Sequence, residues 1–213
     1  MGLVLCGCSQ TYTASVQDNL SDVRYGIFCG TSKSFYVEYT YGLREDPFAY
    51  DGISEAKREL GVFMLYFNDV NNSAYVKIEA TFDDKAQEVL LEHSPYDDAY
   101  GADIEECKIP QSLTVKILDG SYVGETVTLN NVSDQWKIDY KKALEISENH
   151  FASEFKTLKA NGKKFECYLK ILSKPNFEQF FWFFSYVASN GAKNHILINP
   201  QTGQILDTSR KNI

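Results

Sequence analysis

The 213-residue chain is poor in proline, cysteine and histidine, and it has no long hydrophobic run. Its 5 Pro and 13 Gly are too few for a fibrous or linker-like protein. No stretch approaches the roughly 18 to 20 consecutive apolar residues of a transmembrane helix, so no membrane-spanning helix is predicted. The 3 His are scattered singly and no Cys-x-x-Cys pair occurs, so the usual metal-binding motifs are missing.

The signatures of several enzyme classes are absent as well. The chain has no GxSxG elbow, HExxH helix, P-loop or GxGxxG turn. The 29 acidic residues outnumber the 21 Lys and Arg, giving a net charge of −8, which disfavours binding to a phosphate backbone. With 44% hydrophobic residues the chain should fold into one or two domains.

The first ten residues are apolar and rich in small residues, and a polar run follows them. Within them, Leu5-Cys6-Gly7-Cys8 resembles the lipobox of bacterial lipoproteins. The resemblance implies that Cys8 carries the lipid, that residues 1–22 are a signal remnant and tether, and that the protein lies outside the cytoplasm, anchored to the bacterial cell membrane. The alternative is a disordered N-terminus that carries two cysteines by chance.

Residues 23–130 alternate apolar and polar side chains, as in Phe35, Val37 and Tyr39, and turn residues separate the runs. Short runs of this kind are typical of antiparallel strands. The sequence predicts an N-terminal β-sandwich here. Two of the remaining cysteines, Cys29 and Cys107, fall in this part and are candidates for a disulfide.

Residues 131–213 have a different period. After a cap at Ser133 or Asp134, apolar residues recur every three or four positions, and Asn161-Gly162 ends the predicted helix. Alternating strands follow, with Cys167 on the apolar side of the first. This order, closed by the sequence from His195 to Leu206, resembles PepSY-type modules, which are extracytoplasmic binding or inhibitory modules. The predicted fold class is therefore α+β: a β-sandwich followed by a small helix-on-antiparallel-sheet, PepSY-like domain.

Two groups of residues are candidates for ligand contacts. Tyr41, Arg44, Phe48 and Tyr50 combine aromatic rings with charge in a turn-rich segment, a pattern that supports an exposed binding loop almost as well as it supports packing.

Acidic residues form the second group. Asp97, Asp98 and Asp103 supply the oxygen ligands that calcium prefers, although their spacing is not that of an EF-hand and solvated turn carboxylates are the alternative. Calcium is the one cofactor that the sequence suggests.

These observations favour a non-catalytic, lipid-anchored binding protein of the cell surface whose partner is a peptide, protein or carbohydrate. Two other functions stay open. A hydrolase of cell-wall or peptide substrates would require convergent carboxylates or a histidine in a cleft, and a structural or assembly spacer would require neither a cleft nor exposed rings.

Overall fold

The computed structural model describes residues 16–49, 56–95, 98–105, 109–174 and 179–211. Strands dominate these residues, as the alternation predicted. In chain order the strands are β1 (Leu20–Thr31), β2 (Phe35–Glu45), β3 (Lys57–Phe67), β4 (Tyr75–Phe82), β5 (Lys85–His93), β6 (Ala99–Glu105), β7 (Leu113–Ile117), β8 (Thr126–Asn131), β9 (Phe165–Lys174), β10 (Gln179–Ala188), β11 (Lys193–Ile198) and β12 (Ile205–Lys211). The helices are α1 (Tyr140–His150) and α2 (Ala152–Ala160), between β8 and β9.

The first eight strands form a closed antiparallel barrel, and the predicted β-sandwich is wrong. Their order is β1-β2-β3-β6-β5-β4-β7-β8, and β8 returns to pair with β1. The closing contacts place Phe28 opposite Asn131 and Cys29 opposite Asn130. A sandwich has two open sheets, whereas this sheet pairs with itself. The inward-facing side chains of the alternating pattern therefore fill the interior of one barrel instead of an interface between two sheets.

Side chains fill the interior of the barrel. An eight-stranded barrel has just enough internal room for its own side chains, and aromatic rings occupy much of this one. The fully buried rings are Phe28, Phe35, Tyr39, Phe63 and Tyr100. A Cβ at Gly61 would lie 2.4 Å from the Tyr39 hydroxyl, so the absence of a side chain there makes room for that ring.

The sheet continues beyond the barrel as a four-stranded extension, β9 to β12. β1 pairs with β2 along most of one edge. Its other edge is divided: Leu20 to Val23 pair in parallel with β9, whereas Phe28 and Cys29 pair with β8. The extension is therefore part of the same sheet as the barrel, and the predicted PepSY-like helix-on-sheet module is wrong: the described strands form one continuous sheet. Leu20 to Asp22, which the sequence assigned to a tether, belong to β1.

The predicted single helix is two helices with a preceding turn. Ser133–Gln135 form a 3₁₀ turn, and α1 begins only at Tyr140, where the Asp139 carboxylate accepts a hydrogen bond from Lys142 N at 2.8 Å. Phe151, at φ −100° and ψ 16°, interrupts the helix. Gly162, at φ +62°, ends α2 as predicted.

A second hydrophobic core lies between the helices and the extension. The Phe155 ring stacks on Phe165 at 4.6 Å between centroids, and Phe151 contacts Tyr186 edge-on at 5.2 Å. Val23 and Ile27 of β1 belong to this core, whereas Phe28 belongs to the barrel core. β1 therefore contributes one face to each core.

Candidate functional site

The structure separates the residues of the predicted binding surface. Tyr41 is buried at one end of the barrel interior, whereas Arg44, three positions along β2, points to the opposite face of the strand. Phe48 lies beside Arg44, with its ring centroid 5.1 Å from the guanidinium carbon. Tyr50 lies outside the described residues.

Arg44 belongs to an ionic cluster around Asp22, where β1 meets both β2 and β9. The Asp22 carboxylate is completely buried, with Arg24 Nη2 at 3.2 Å, Arg44 Nε at 3.0 Å and Lys170 Nζ at 3.8 Å. Burial is the main cause that lowers the pKa of Arg24 and of Lys170, and the negative charge of Asp22 opposes it at both. Since the three cations come from β1, β2 and β9, the cluster fixes the extension against the barrel.

The predicted calcium ligands do not converge. Asp97 lies outside the described residues. Asp98 directly precedes β6 and Asp103 lies within it, so at about 3.3 Å per residue their carboxylates are on the order of 15 Å apart, too far to bind one ion. Asp103 instead accepts a hydrogen bond from Arg44 Nη1 at 2.8 Å. No group of three or more potential metal ligands occurs within the described ranges.

An open cleft of about 850 Å³ lies between the barrel and the extension. It forms where β1 leaves β9 and turns to β8. One wall comes from the ends of β1 and β8, and the other from residues 179–181 at the start of β10 and residues 199–201 between β11 and β12. Trp136 and Gln135, which follow β8, also line it.

Carboxamides and rings dominate the lining of this cleft. Its carboxamide residues are Asn130, Gln135, Gln179, Asn199 and Gln201, and its aromatic residues are Tyr36, Trp136, Phe180 and Phe181. Asn199 Oδ1 accepts hydrogen bonds from the backbone of Gln201 and Thr202, which fixes that turn. The side chains of Asn130, Gln135 and Gln179 are exposed. Among the described residues that line the cleft, none is charged.

A buried polar network lies behind the cleft wall. The Tyr36 hydroxyl is 3.1 Å from Glu38 Oε2 and 3.1 Å from Cys29 Sγ, and Ser173 Oγ donates to the same Glu38 oxygen. Burial is the main cause that raises the pKa of Glu38, and it raises the pKa of Cys29 to about 12. Cys29 carries a free thiol, and Cys107, its predicted partner, lies outside the described residues. A protonated, buried thiol is a poor nucleophile.

The cleft was not predicted from the sequence. Single amides at strand ends form no motif, and residues 130, 179 and 199 come together only through the pairing of distant strands. The sequence contains one weak indication of the cleft. Asn130, Gln179 and Asn199 each lie at or next to the end of a strand, where side chains reach a sheet edge.

α1 and α2, of 11 and 9 residues, are too short to cross a membrane, and no other helix of the described part meets the requirements of a membrane span. No protein-family model, curated protein or solved structure matches the chain.

Proposed function

We propose that the chain is a non-catalytic binding protein whose cleft between barrel and extension holds a neutral carbohydrate chain. The observation that carries the proposal is the lining of the cleft: carboxamides and aromatic rings without a charged residue among those described. The cavity volume of about 850 Å³ falls within the range of about 300–1,000 Å³ that is usual for ligand sites.

Carboxamides suit hydroxyl groups because both donate and accept hydrogen bonds. The exposed Asn130, Gln135 and Gln179 supply such groups, and half-buried Trp136 and Phe181 supply apolar surface for the C–H faces of a sugar ring. An anionic ligand would find no countercharge among the described residues of this lining. The composition therefore favours a neutral, polyhydroxylated ligand over a phosphate or a carboxylate.

Binding without hydrolysis is the better match to the acidic groups near the cleft. Glycoside hydrolysis usually requires two carboxyl groups that flank the scissile bond. Glu38 is the acidic residue of the network behind the wall, and it is only 7% exposed, held by Tyr36 and Ser173. The buried Glu38 carboxyl group, behind the lining, has no route to a bound sugar.

The proposal includes a location for the protein outside the cytoplasm. The Leu5-Cys6-Gly7-Cys8 sequence supports a lipid anchor at Cys8 on the outer side of the membrane, where glycans of the cell surface are available. These residues precede the described part of the chain.

Isothermal titration with neutral β-1,4-glucan, α-1,4-glucan and chitin oligosaccharides tests the proposal. We expect saturable binding of at least one, weakened about fivefold by Gln179→Ala, since a lost hydrogen bond costs about 1 kcal/mol. Gln87→Ala, at an exposed position on β5, is the matched control and should bind as the unmodified protein does. Absence of saturable binding, or equal affinity of both variants, would refute the carbohydrate cleft. Binding of neutral peptides alone would replace it with a peptide site.

A further inference from the structure

A second cavity, of about 530 Å³, lies on the barrel side of α1 and is lined mainly by aromatic rings. The rings are those of Tyr25, Tyr41, Trp136, Tyr140 and Trp182. Tyr25 and Tyr140 have centroids 4.6 Å apart with an interplanar angle of 47°, and Trp136 meets Trp182 edge-on at 5.1 Å. The half-buried rings of Tyr25, Trp136 and Tyr140 and the exposed side chain of Ile109 form the accessible apolar part of the wall. Trp136 lines both this cavity and the cleft.

The charges that line this cavity are negative. Asp134 and Asp139 contribute carboxylates, and the described lining residues include no Lys, Arg or His. The Asp139 carboxylate also accepts a hydrogen bond from Lys142 N and so caps α1. The positive end of the helix dipole at this terminus offsets part of the negative charge of Asp139. Asp134 is exposed and forms no salt bridge within the described ranges. Burial is the main cause that raises the pKa of the Tyr41 phenol, and the negative charge of Asp134 raises it further.

We propose that this cavity, formed by the rings of Tyr25, Trp136 and Tyr140 with the carboxylate of Asp134 at its rim, binds a methylated ammonium group. The face of an aromatic ring carries negative potential, and it attracts cations within about 6 Å of its centroid. Methyl groups on the nitrogen lose water easily and pack against the rings. A hard metal ion would instead require several oxygen ligands, which rings do not supply.

One ring of the cavity already contacts a cation of the chain. Lys141 Nζ lies 5.8 Å from the centroid of the Tyr140 ring, although Lys141 is not part of the lining. The lysine contact shows that a cation can lie near the Tyr140 ring outside the cavity, at a distance that is usual for a cation–π interaction.

Fixed contacts hold the walls in place. The Trp182 indole donates to Ile138 O at 2.8 Å, and Ser133 Oγ accepts from Ile27 N at 3.1 Å. Ser133 can approach β1 this closely because residue 26 is glycine: a Cβ there would lie 2.3 Å from Ser133 Oγ and 2.8 Å from the Tyr41 hydroxyl. A site whose walls are already fixed loses little entropy when a ligand enters.

Intrinsic fluorescence gives a local readout, since the 2 tryptophans of the chain both line this cavity. The probes are choline and its uncharged isostere, 3,3-dimethylbutan-1-ol, at constant ionic strength. We expect a saturable change with choline and an affinity for the isostere that is at least about tenfold lower, because only choline has the charge. Equal responses to both probes, or a response to choline that does not saturate, would overturn the proposal.

Variants separate this cavity from the cleft. Asp134→Asn keeps the shape of an exposed side chain and should weaken choline binding about two- to fivefold. Tyr140→Leu should weaken it about threefold or more. Asp207→Asn, on β12, and Gln179→Ala, in the cleft, should leave it unchanged. If Asp134→Asn and Tyr140→Leu both bound choline as the unmodified protein does, the assignment to this cavity would be wrong; if Gln179→Ala abolished the signal, the cleft would be the choline site.

Discussion

Arg44 donates a hydrogen bond from Nη1 to Asp103 Oδ2 at 2.8 Å, while its Nε lies 3.0 Å from Asp22 Oδ2. One residue of the predicted binding surface thus neutralises one of the predicted calcium ligands. The guanidinium connects a buried carboxylate with a half-exposed one, since the side chain of Asp22 is 0% exposed and that of Asp103 is 49% exposed. This arrangement makes Arg44 primarily a structural residue.

The two acidic partners of Arg44 should differ widely in their contribution to stability. Asp22→Asn leaves Arg24 buried without its countercharge, and we expect a loss of about 3–5 kcal/mol in the free energy of unfolding. Asp103→Asn removes a solvent-screened contact and should cost less than about 1 kcal/mol. Urea denaturation measures both variants. Equal losses would contradict the structural role of the buried carboxylate.

Glu38 should make the protein less stable as the pH rises. Burial raises its pKa in the folded state above the ordinary value of 4.5, so the unfolded chain ionises first and binds fewer protons. The stabilisation that protonated Glu38 provides is complete below about pH 4.5 and is lost as the pH increases through the folded-state pKa of Glu38. Urea denaturation across this range should therefore show a fall that Glu38→Gln abolishes.

Glu92→Gln, at an exposed position on β5, is the matched control for Glu38. It should leave the pH dependence as it is in the unmodified protein. An identical pH profile for Glu38→Gln and the unmodified chain would mean that folding does not raise the pKa of Glu38.

The two buried free thiols should resist alkylation in the native protein. A pKa of about 12 leaves on the order of one Cys29 in ten thousand as thiolate at about pH 8, and burial raises the pKa of Cys167 as well. Iodoacetamide labelling followed by peptide mapping should modify neither residue until denaturant is added. Rapid labelling of Cys29 under native conditions would show that the cleft wall opens.

Gly61→Ala should destabilise the barrel by about 1–3 kcal/mol, because the new methyl group overlaps the Tyr39 ring. Tyr39→Phe removes only the nearest atom and leaves ring carbons that would lie 2.5 and 2.7 Å from the new methyl group, so in the Gly61→Ala background it should recover little of the loss. Gly101→Ala is the control on the neighbouring strand, where the closest atom is the flexible Met64 sulfur at 3.0 Å. Thermal or urea unfolding compares the three. A smaller effect at Gly61 than at Gly101 would contradict the packing described.

Cys8→Ala should release the full-length protein from the membrane of a bacterium that processes lipoproteins. The reason is that the lipobox-like sequence offers Cys8 as the residue that carries the lipid. Fractionation with metabolic fatty-acid labelling measures both retention and acylation, with Cys6→Ala as the control. Unchanged retention and labelling of the Cys8 variant would disprove the anchor.

Local patterns predicted the elements but not their assembly. The alternation of Phe165, Cys167 and Leu169 predicted the strand β9 and the burial of these residues, and both are confirmed; the predicted exposure of the other face is wrong, because Glu166 and Tyr168 are buried as well. The pairing of Phe28 with Asn131 leaves no trace in either segment, because a strand in a barrel and one in a sandwich bury the same alternate residues.

The candidate sites were predictable to a smaller extent. Arg44 and Phe48 are close in sequence, and they do contact each other. The Tyr41 side chain is polar only at its hydroxyl, and it lies in a turn-rich segment. Nothing in that pattern indicated that β2 would direct the Tyr41 ring into the barrel. The cleft depends on Asn130 and Gln179, which only the divided edge of β1 brings together.

The divided edge of β1 also sets the order in which the chain can complete its fold during synthesis. β1 leaves the ribosome before the other described strands, yet one of its edges pairs with β8 and β9, which are translated after β2 to β7. Contacts between such distant segments give a high contact order and slow folding. Until β8 and β9 have been translated, this edge of β1 lacks its native partners, and an unpaired strand edge is open to association with other strands.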